Sequence, residues 1–222
     1  MAAAWILSGI LGFVMGVVAG MNQGKAIDKV IKGYCLLISS TPAFWLAILL
    51  LMIFAVELGW LPVGLAVPMG LQADSVTFID RLRHGILPVL TLSMTGVANI
   101  ALHTREKLIE VLSSDYILFA KARGESQTSI FLRHGLRNVS LPAMTLQFAS
   151  ISEIIGGSVL VEQVFSYPGL GQAAVTAGLG SDLPLLLGIT VITAAIVFAG
   201  NLAADLLYGV IDPKIRRRAA KL

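Results

Sequence analysis

The chain has 222 residues, of which 56% are hydrophobic and only 13% are charged, and its formal net charge is +3. Soluble domains carry about 25% charged residues, so this composition excludes an ordinary soluble protein and predicts an integral membrane protein. Long alternating strands with polar lumen faces are absent from the sequence, which favours a helical bundle over a barrel. The single cysteine, Cys35, excludes an internal disulfide bond.

Apolar runs along the chain predict an all-α, polytopic transmembrane bundle of about five spans. The runs lie at 1–21, 34–58, 85–103, 142–160 and 185–207. The segments between them are predicted loops, a short one at 22–33 and longer ones at 59–84 and 161–184. We expect the third span to continue as a polar helix past His103, and the fourth to be interrupted by Glu153 and by Gly156–Gly157.

Two patterns inside the spans predict local geometry. Gly12, Gly16 and Gly20 recur at every fourth position of the first run, which predicts a face where another helix packs closely. Pro42 lies within the second run, and we expect it to bend that helix. Both a functional kink and a packing device fit this position. The carbonyl that proline frees can accept from the hydroxyls just before it, Ser39, Ser40 and Thr41.

The distribution of lysine and arginine predicts the orientation in the membrane. Segments 22–33, 103–141 and 208–222 carry three, six and five of these residues, whereas 59–84 and 161–184 carry two and none. Because cytoplasmic loops are enriched in lysine and arginine, this asymmetry predicts an outside N-terminus and a cytoplasmic C-terminus. Topology therefore explains the basic charge, and we expect no nucleic-acid partner.

The sequence offers little catalytic machinery. It contains no GxxxxGK[ST] phosphate loop, no GxSxG or Ser–Lys pattern, and no HExxH-like spacing among its histidines. We therefore predict neither an enzyme nor a metal site nor a cofactor on this chain. Glu153, with Ser150 and Ser152 beside it, is a weak candidate for a substrate path, because an ionisable group within a span suggests function. A structural role for Glu153 fits equally well, and Asp205 is interpreted as an interfacial cap.

The most informative stretch is the polar segment Ser113–Pro142, between the third and fourth spans. Ser113 or Ser114 can cap a short helix that begins at Asp115, and Gly124 suits the position that ends it. An apolar face is predicted from the spacing of Tyr116, Phe119, Ala120 and Arg123. Ser126 can cap a second short helix at an angle to the first. From the residues alone, docking to a protein partner and lying on lipid headgroups remain equally open.

Several motifs together resemble one family. The stretch DYILFAKARGES…LRHGLRNVSLP, with Ala120-x-Ala122-x-Gly124 and then Leu141-Pro142, resembles the cytoplasmic coupling loop of ABC-importer permeases. It is most similar to the dipeptide, oligopeptide and nickel permeases. Further stretches that resemble this family, in the same order, are GWLPVG at 59–64, VLVEQVFSYPGLGQ at 159–172 and YGVIDPKIR at 208–216.

The resemblance implies one transmembrane permease domain over 1–222, of the type I ABC importer kind, with coupling helices in a loop at about 113–142. It implies a multi-pass protein of the prokaryotic inner membrane, which acts with a second permease, two ATP-binding cassette subunits and an extracytoplasmic solute-binding protein. ATP and Mg²⁺ would sit on the ATPase subunits. The residues expected to couple to them are Asp115, Tyr116, Ala120, Lys121, Ala122, Arg123, Gly124, Glu125 and Ser126.

The chain departs from the family pattern in three places. Leu118 stands where the family often has arginine, and Glu125 where it often has leucine. Family members usually have a further N-terminal span, which we expect to be missing here, and an outside N-terminus agrees with that expectation. The alternatives are a truncated or non-transporting permease-like protein and an ion-coupled secondary transporter. Which solute is carried, a peptide, nickel or another, is not readable from the sequence.

Overall fold

The computed structural model describes residues 1–70 and 75–211, with side chains as far as Leu207, and this part of the chain is all-α. The helices are α1 (Ala2–Met21), α2 (Ala26–Ser39), α3 (Ala43–Leu50), α4 (Phe78–Leu112), α5 (Asp115–Ala122), α6 (Gln127–Ile130), α7 (Leu136–Val164), α8 (Leu170–Leu179) and α9 (Leu183–Ile211). Helix α3 continues as a π-helical stretch, Leu51–Glu57, and another, Phe131–Gly135, joins α6 to α7.

Within residues 1–70 and 75–211, four helices are long and apolar enough to cross a membrane: α1, α4, the continuous α6–α7 rod and α9. A bent pair, α2 with α3 and its π-helical extension, gives a fifth span if it crosses as a unit. The predicted all-α polytopic bundle of about five spans is thus confirmed. Helix α4 has 35 residues, which at 1.5 Å per residue is about 52 Å. It therefore extends well beyond a hydrocarbon core of about 30 Å, as predicted for the polar continuation of the third span.

The glycines of α1 form a close helix contact with α4. A Cβ added at Gly16 would lie 2.6 Å from the carbonyl oxygen of Ala101 and 2.6 Å from the Cβ of Thr104. Gly12 and Gly20 meet Ile100 and Leu108 of α4 in the same way. Backbones can approach this closely only where side chains are absent, and the predicted packing face is confirmed, with α4 as its partner.

The second span is broken rather than bent. Helix α2 ends at Ser39, α3 begins after Pro42, and the two helices meet at 105°. Pro42 has no N–H to continue the ladder, and its backbone is extended, which suits the residue before a helix. The preceding hydroxyls do not reach the Ile38 carbonyl that Pro42 frees, which accepts from the Thr41 N–H instead. They donate one turn back, Ser40 Oγ to the Leu36 carbonyl and Thr41 Oγ1 to the Leu37 carbonyl.

Three predicted boundaries were wrong. The 22–33 loop is mostly the first half of α2, and residues 78–84 of the 59–84 loop already belong to α4. The 161–184 loop contains the end of α7 and all of α8. Helix α7 runs without interruption through Glu153 and both following glycines. In each case long-range packing extends a helix through residues whose local pattern is polar or glycine-rich.

A buried ion pair ties α2 to α4. Asp28 is 3% exposed, and its carboxylate accepts from Arg105 Nε at 2.5 Å and Arg105 Nη2 at 2.8 Å. The Gly24 N–H donates to the same carboxylate at 2.8 Å. A bidentate pair with a third donor compensates the carboxylate for lost hydration, so this contact fixes α2 against the end of α4.

The predicted C-terminal motif at 208–216 lies outside the residues whose side chains are described. The five cationic residues of that tail, at 214–221, lie there too. The assignment of 1–222 to one permease domain therefore stays a prediction.

Candidate functional site

A small apolar contact packs helix α5 against the bundle. Ile117 and Ala120 are buried and pack with Ile130 of α6 and Leu112, the last residue of α4. The helix thus rests on the ends of the two long rods α4 and α6–α7. A movement of α5 would be transmitted to both rods at once.

The opposite face of α5 leaves apolar side chains without cover. Phe119 is 76% exposed, Leu118 53% and Tyr116 48%. The basic end of the helix is exposed as well, at Lys121, Ala122, Arg123 and Gly124. The predicted apolar face was wrong in one respect, since Ala120 is buried against the bundle whereas Phe119 points away from it. Three large apolar side chains on one exposed helix are typical of a contact surface.

The end of α5 is the predicted glycine stop. Gly124 has φ +83°, a left-handed conformation that glycine adopts without steric cost. The Gly124 N–H donates to the Lys121 carbonyl at 2.9 Å, and the Glu125 N–H donates to the Ala120 carbonyl at 3.2 Å. These two bonds form a Schellman motif, which satisfies the last carbonyls of the helix and turns the chain sharply.

The starts of the two predicted short helices differ from the expectation. Ser114 precedes α5, but its hydroxyl donates to the Val111 carbonyl and makes no cap. Ser126 does cap α6, because its Oγ accepts from the Ser129 N–H. The expected second short helix is wrong as a separate element, since α6 continues into α7 as one rod over Gln127–Val164.

Beneath α5 a polar cluster connects the loop to the start of the rod. Asn138 donates to the Tyr116 hydroxyl at 3.1 Å, and the rings of Tyr116 and His134 meet edge to face, 6.3 Å apart. Glu125 Oε2 lies 3.8 Å from His134 Nε2. Tyr116 and Glu125 therefore also contact the protein itself, which sequence reasoning did not anticipate. Asp115 is exposed in the first turn of α5.

The substrate-path residues lie on a groove between α4 and α7. A cavity of about 230 Å³ is lined by Glu153 and Ser150 of α7 and by Thr95 and Asn99 of α4. Ser150 is buried and donates to the Gln147 carbonyl at 2.7 Å, whereas Glu153 is exposed. Ser152 is exposed but does not line this cavity. The groove thus brings together two of the three predicted residues.

Sequence reasoning missed the α4 side of this groove. Four exposed residues follow one another at spacings of four, three and four: Asn99, His103, Glu106 and Glu110. Such spacing places them on a single helix face. The same face lines a second cavity of about 540 Å³ with Leu141, Pro142 and Thr145 of α7. The signal was present in the spacing, but the histidines were considered only for metal-ligand spacing.

Comparison with known proteins decides the family. Residues 12–217 match the family described as "Binding-protein-dependent transport system inner membrane component". The chain belongs to this family. It is therefore a multi-pass permease component of the inner membrane, of the ABC importer class, as the sequence motifs indicated.

Curated relatives of this permease include "Oligopeptide transport system permease protein AppB" of Bacillus subtilis (strain 168), 36% identical over 97% of this chain and 67% of the relative. "Oligopeptide transport system permease protein OppB" of Salmonella typhimurium (strain LT2) is 37% identical, with the same coverage of both chains. "Di/tripeptide transport system permease protein DppB" of Pseudomonas aeruginosa (strain UCBPP-PA14) is 32% identical over 97% of this chain and 69% of the relative. The permease thus spans about two thirds of the length of these relatives.

Solved structures support the permease fold. A chain of the inward-facing MetNI methionine ABC transporter matches with a TM-score of 0.73 at 17% identity, covering 95% of this chain and 92% of that one. A chain of an amino acid ABC transporter with histidines matches with a TM-score of 0.59 at 15% identity, covering 92% and 87%. At this level of identity the likeness concerns the fold alone.

Proposed function

We propose that this chain is the membrane-spanning permease subunit of an ATP-driven importer of peptides, and that α5 couples it to the ATPase. The peptide assignment is supported by the names of its relatives, which are oligopeptide and di/tripeptide permeases. Nickel and related solutes are the alternative cargo of the wider family. A second permease, two ATP-binding cassette subunits and a solute-binding protein complete the proposed importer.

The observation that carries the coupling proposal is the placement of α5. Its exposed face presents Tyr116, Leu118 and Phe119, while its buried face rests on the ends of α4 and α6–α7. Those two rods line the groove that holds Glu153. A partner that seats the exposed face and moves it as a rigid body would change the packing of the two rods, and with it the opening of the groove.

In this proposal the chain itself performs no hydrolysis. ATP and Mg²⁺ bind the partner ATPase subunits, and the permease contributes two arrangements of its bundle with different access to the groove. The ATPase and the solute-binding protein bias the equilibrium between these arrangements, since each would bind one of them better. Asp115, Lys121, Arg123 and Ser126 lie around the apolar face and would contribute its polar rim.

The test is co-purification of the permease with its cognate ATPase after Phe119→Asp or Ala122→Asp. Both side chains are exposed, so the fold should persist while a carboxylate desolvated in the interface costs several kcal/mol of binding. We expect loss of the bound ATPase and of ATP-driven peptide uptake. Gly124→Asp is a weaker test, because the left-handed backbone there would strain the loop by itself.

Leu179→Asp is the matched control, since Leu179 is 85% exposed at the end of α8, away from the loop. It should retain both the ATPase and uptake. If the two α5 variants retain the ATPase and stimulated hydrolysis, the docking assignment is wrong. A wild-type complex that holds its ATPase but imports no peptide would instead identify a non-transporting permease-like protein.

A further inference from the structure

Glu153 is a carboxylate that lines the groove between α4 and α7. None of the described residues donates a hydrogen bond to it or forms an ion pair with it. It lies in the apolar rod α7, on a cavity whose other wall is the stretch of α4 from Leu92 to Ile100. Exposing a carboxylate within a span to lipid hydrocarbon costs free energy, so such a group faces water or another molecule.

The rest of the groove has the chemistry of a cation path. Asn99 offers an amide oxygen in the Glu153 cavity, and its helix face continues through His103, Glu106 and Glu110. Lys107 lines the second cavity, and its ammonium group is paired with the Glu110 carboxylate at 2.8 Å. The described groove therefore carries more carboxylates than ammonium groups along its length. Oxygen acceptors around a negative charge suit a ligand that brings several N–H donors.

We propose that Glu153, with Asn99, binds a primary ammonium group of the transported peptide, and that the acidic face of α4 guides this group along the groove. The proposal rests on the proposed function and specifies what the groove recognises. An ammonium is a compact cation with three donors, which one carboxylate and one amide oxygen can accept together. It can come from the amino terminus of the peptide or from a lysine side chain.

The binding test uses the assembled permease–ATPase complex in nanodiscs, without the solute-binding protein, so that the specificity of that protein does not mask the groove. Three radiolabelled probes are compared by equilibrium binding: trialanine, N-acetyl-trialanine, and N-acetyl-Ala-Lys-Ala. We expect wild-type complex to bind trialanine about tenfold or more tighter than its acetylated form, the size of one charge-assisted hydrogen bond. Glu153→Gln should abolish this difference while retaining the bound ATPase.

The third probe separates the two sources of the ammonium. If N-acetyl-Ala-Lys-Ala binds with the affinity of trialanine, the groove binds any primary ammonium group. If it binds with the lower affinity of N-acetyl-trialanine, the groove binds only the amino terminus. Glu57→Gln is the control, because Glu57 is exposed at the end of the π-helical stretch after α3 and does not line either groove cavity. It should leave the binding of all three probes unchanged.

The proposal is overturned if wild-type complex binds trialanine and its acetylated form alike, if Glu153→Gln preserves the difference, or if no probe binds at all. A Glu153 that only contacts a second permease would give the second result. ATP-driven uptake by the complete importer in proteoliposomes distinguishes these failures from failure of the proposed function. If uptake does not depend on Glu153, the proposed ammonium site is wrong but the importer assignment stands. If the complex binds the ammonium group but imports no peptide, the importer assignment is wrong but the site stands.

Discussion

Two faces of α4 have opposite character over the same turns of helix. One face is buried against α1 and α2 and carries Val97, Ala101, Thr104 and Leu108. The other face is exposed and carries Asn99, His103, Glu106 and Glu110. The first face ends in a buried ion pair with α2, and the second opens into the groove.

The buried face of α4, called the packed face below, stabilises the bundle. The exposed face, called the open face, leaves its side chains free to contact other molecules. Within a membrane, lipid is as apolar as leucine, so helices associate through close packing and satisfied polar contacts rather than through the hydrophobic effect. The packed face supplies both, with glycines opposite it and an arginine whose charge is neutralised. The open face supplies neither, and its polar side chains are instead available to water, a ligand or another subunit.

The strongest test of the packed face is the ion pair. Asp28→Asn should leave the partly buried Arg105 guanidinium without its counter-charge, at a cost of about 3 kcal/mol. SDS titration of the purified protein in mixed micelles measures the free energy of unfolding. The double variant Asp28→Asn with Arg105→Met should recover part of this loss, since it removes both charges. A double variant less stable than Asp28→Asn alone would contradict this account.

The next largest effect is expected where the α1 glycines pack against α4. Gly16→Ala places a methyl group against the Ala101 carbonyl, so α1 and α4 must separate, at a cost of about 2 kcal/mol. Gly188→Ala in α9 is the matched control, because a Cβ there meets nothing within 4 Å. The same titration should show a loss at Gly16 only. Equal free energies of unfolding for the two variants would mean that the contact between α1 and α4 does not stabilise the bundle.

The smallest effect on stability is expected on the open face. Asn99→Leu should change the free energy of unfolding by less than about 0.5 kcal/mol, because this exposed side chain has no hydrogen-bond partner among the described residues. Peptide uptake by the assembled importer should nevertheless fall, since the substitution places an apolar group in the groove. A loss of stability as large as that of Gly16→Ala would show that the two faces do not differ as described.

Local patterns were sufficient for much of the fold and for part of the site. Apolar runs of membrane length predict the spans, and glycines at every fourth position predict the packing face of α1. Gly124 predicts the end of α5. These features depend on residues that are close together in the sequence, so a local sequence pattern is sufficient to predict them. The permease family was predicted from local motifs for the same reason, and the comparisons confirm it.

The sequence by itself thus determined that this is a multi-span helical bundle with one long polar loop between its third and fourth spans. The tertiary structure decided which way that loop faces: Ala120 inward, Phe119 outward, and both α4 and α7 beneath. It also decided the pairing of Asp28 with Arg105, 77 residues apart, and the placement of Glu153 and Asn99 on the lining of one cavity. Both arrangements depend on how α4 is rotated relative to its neighbours, and rotation is set by packing among several helices rather than by any local run of residues.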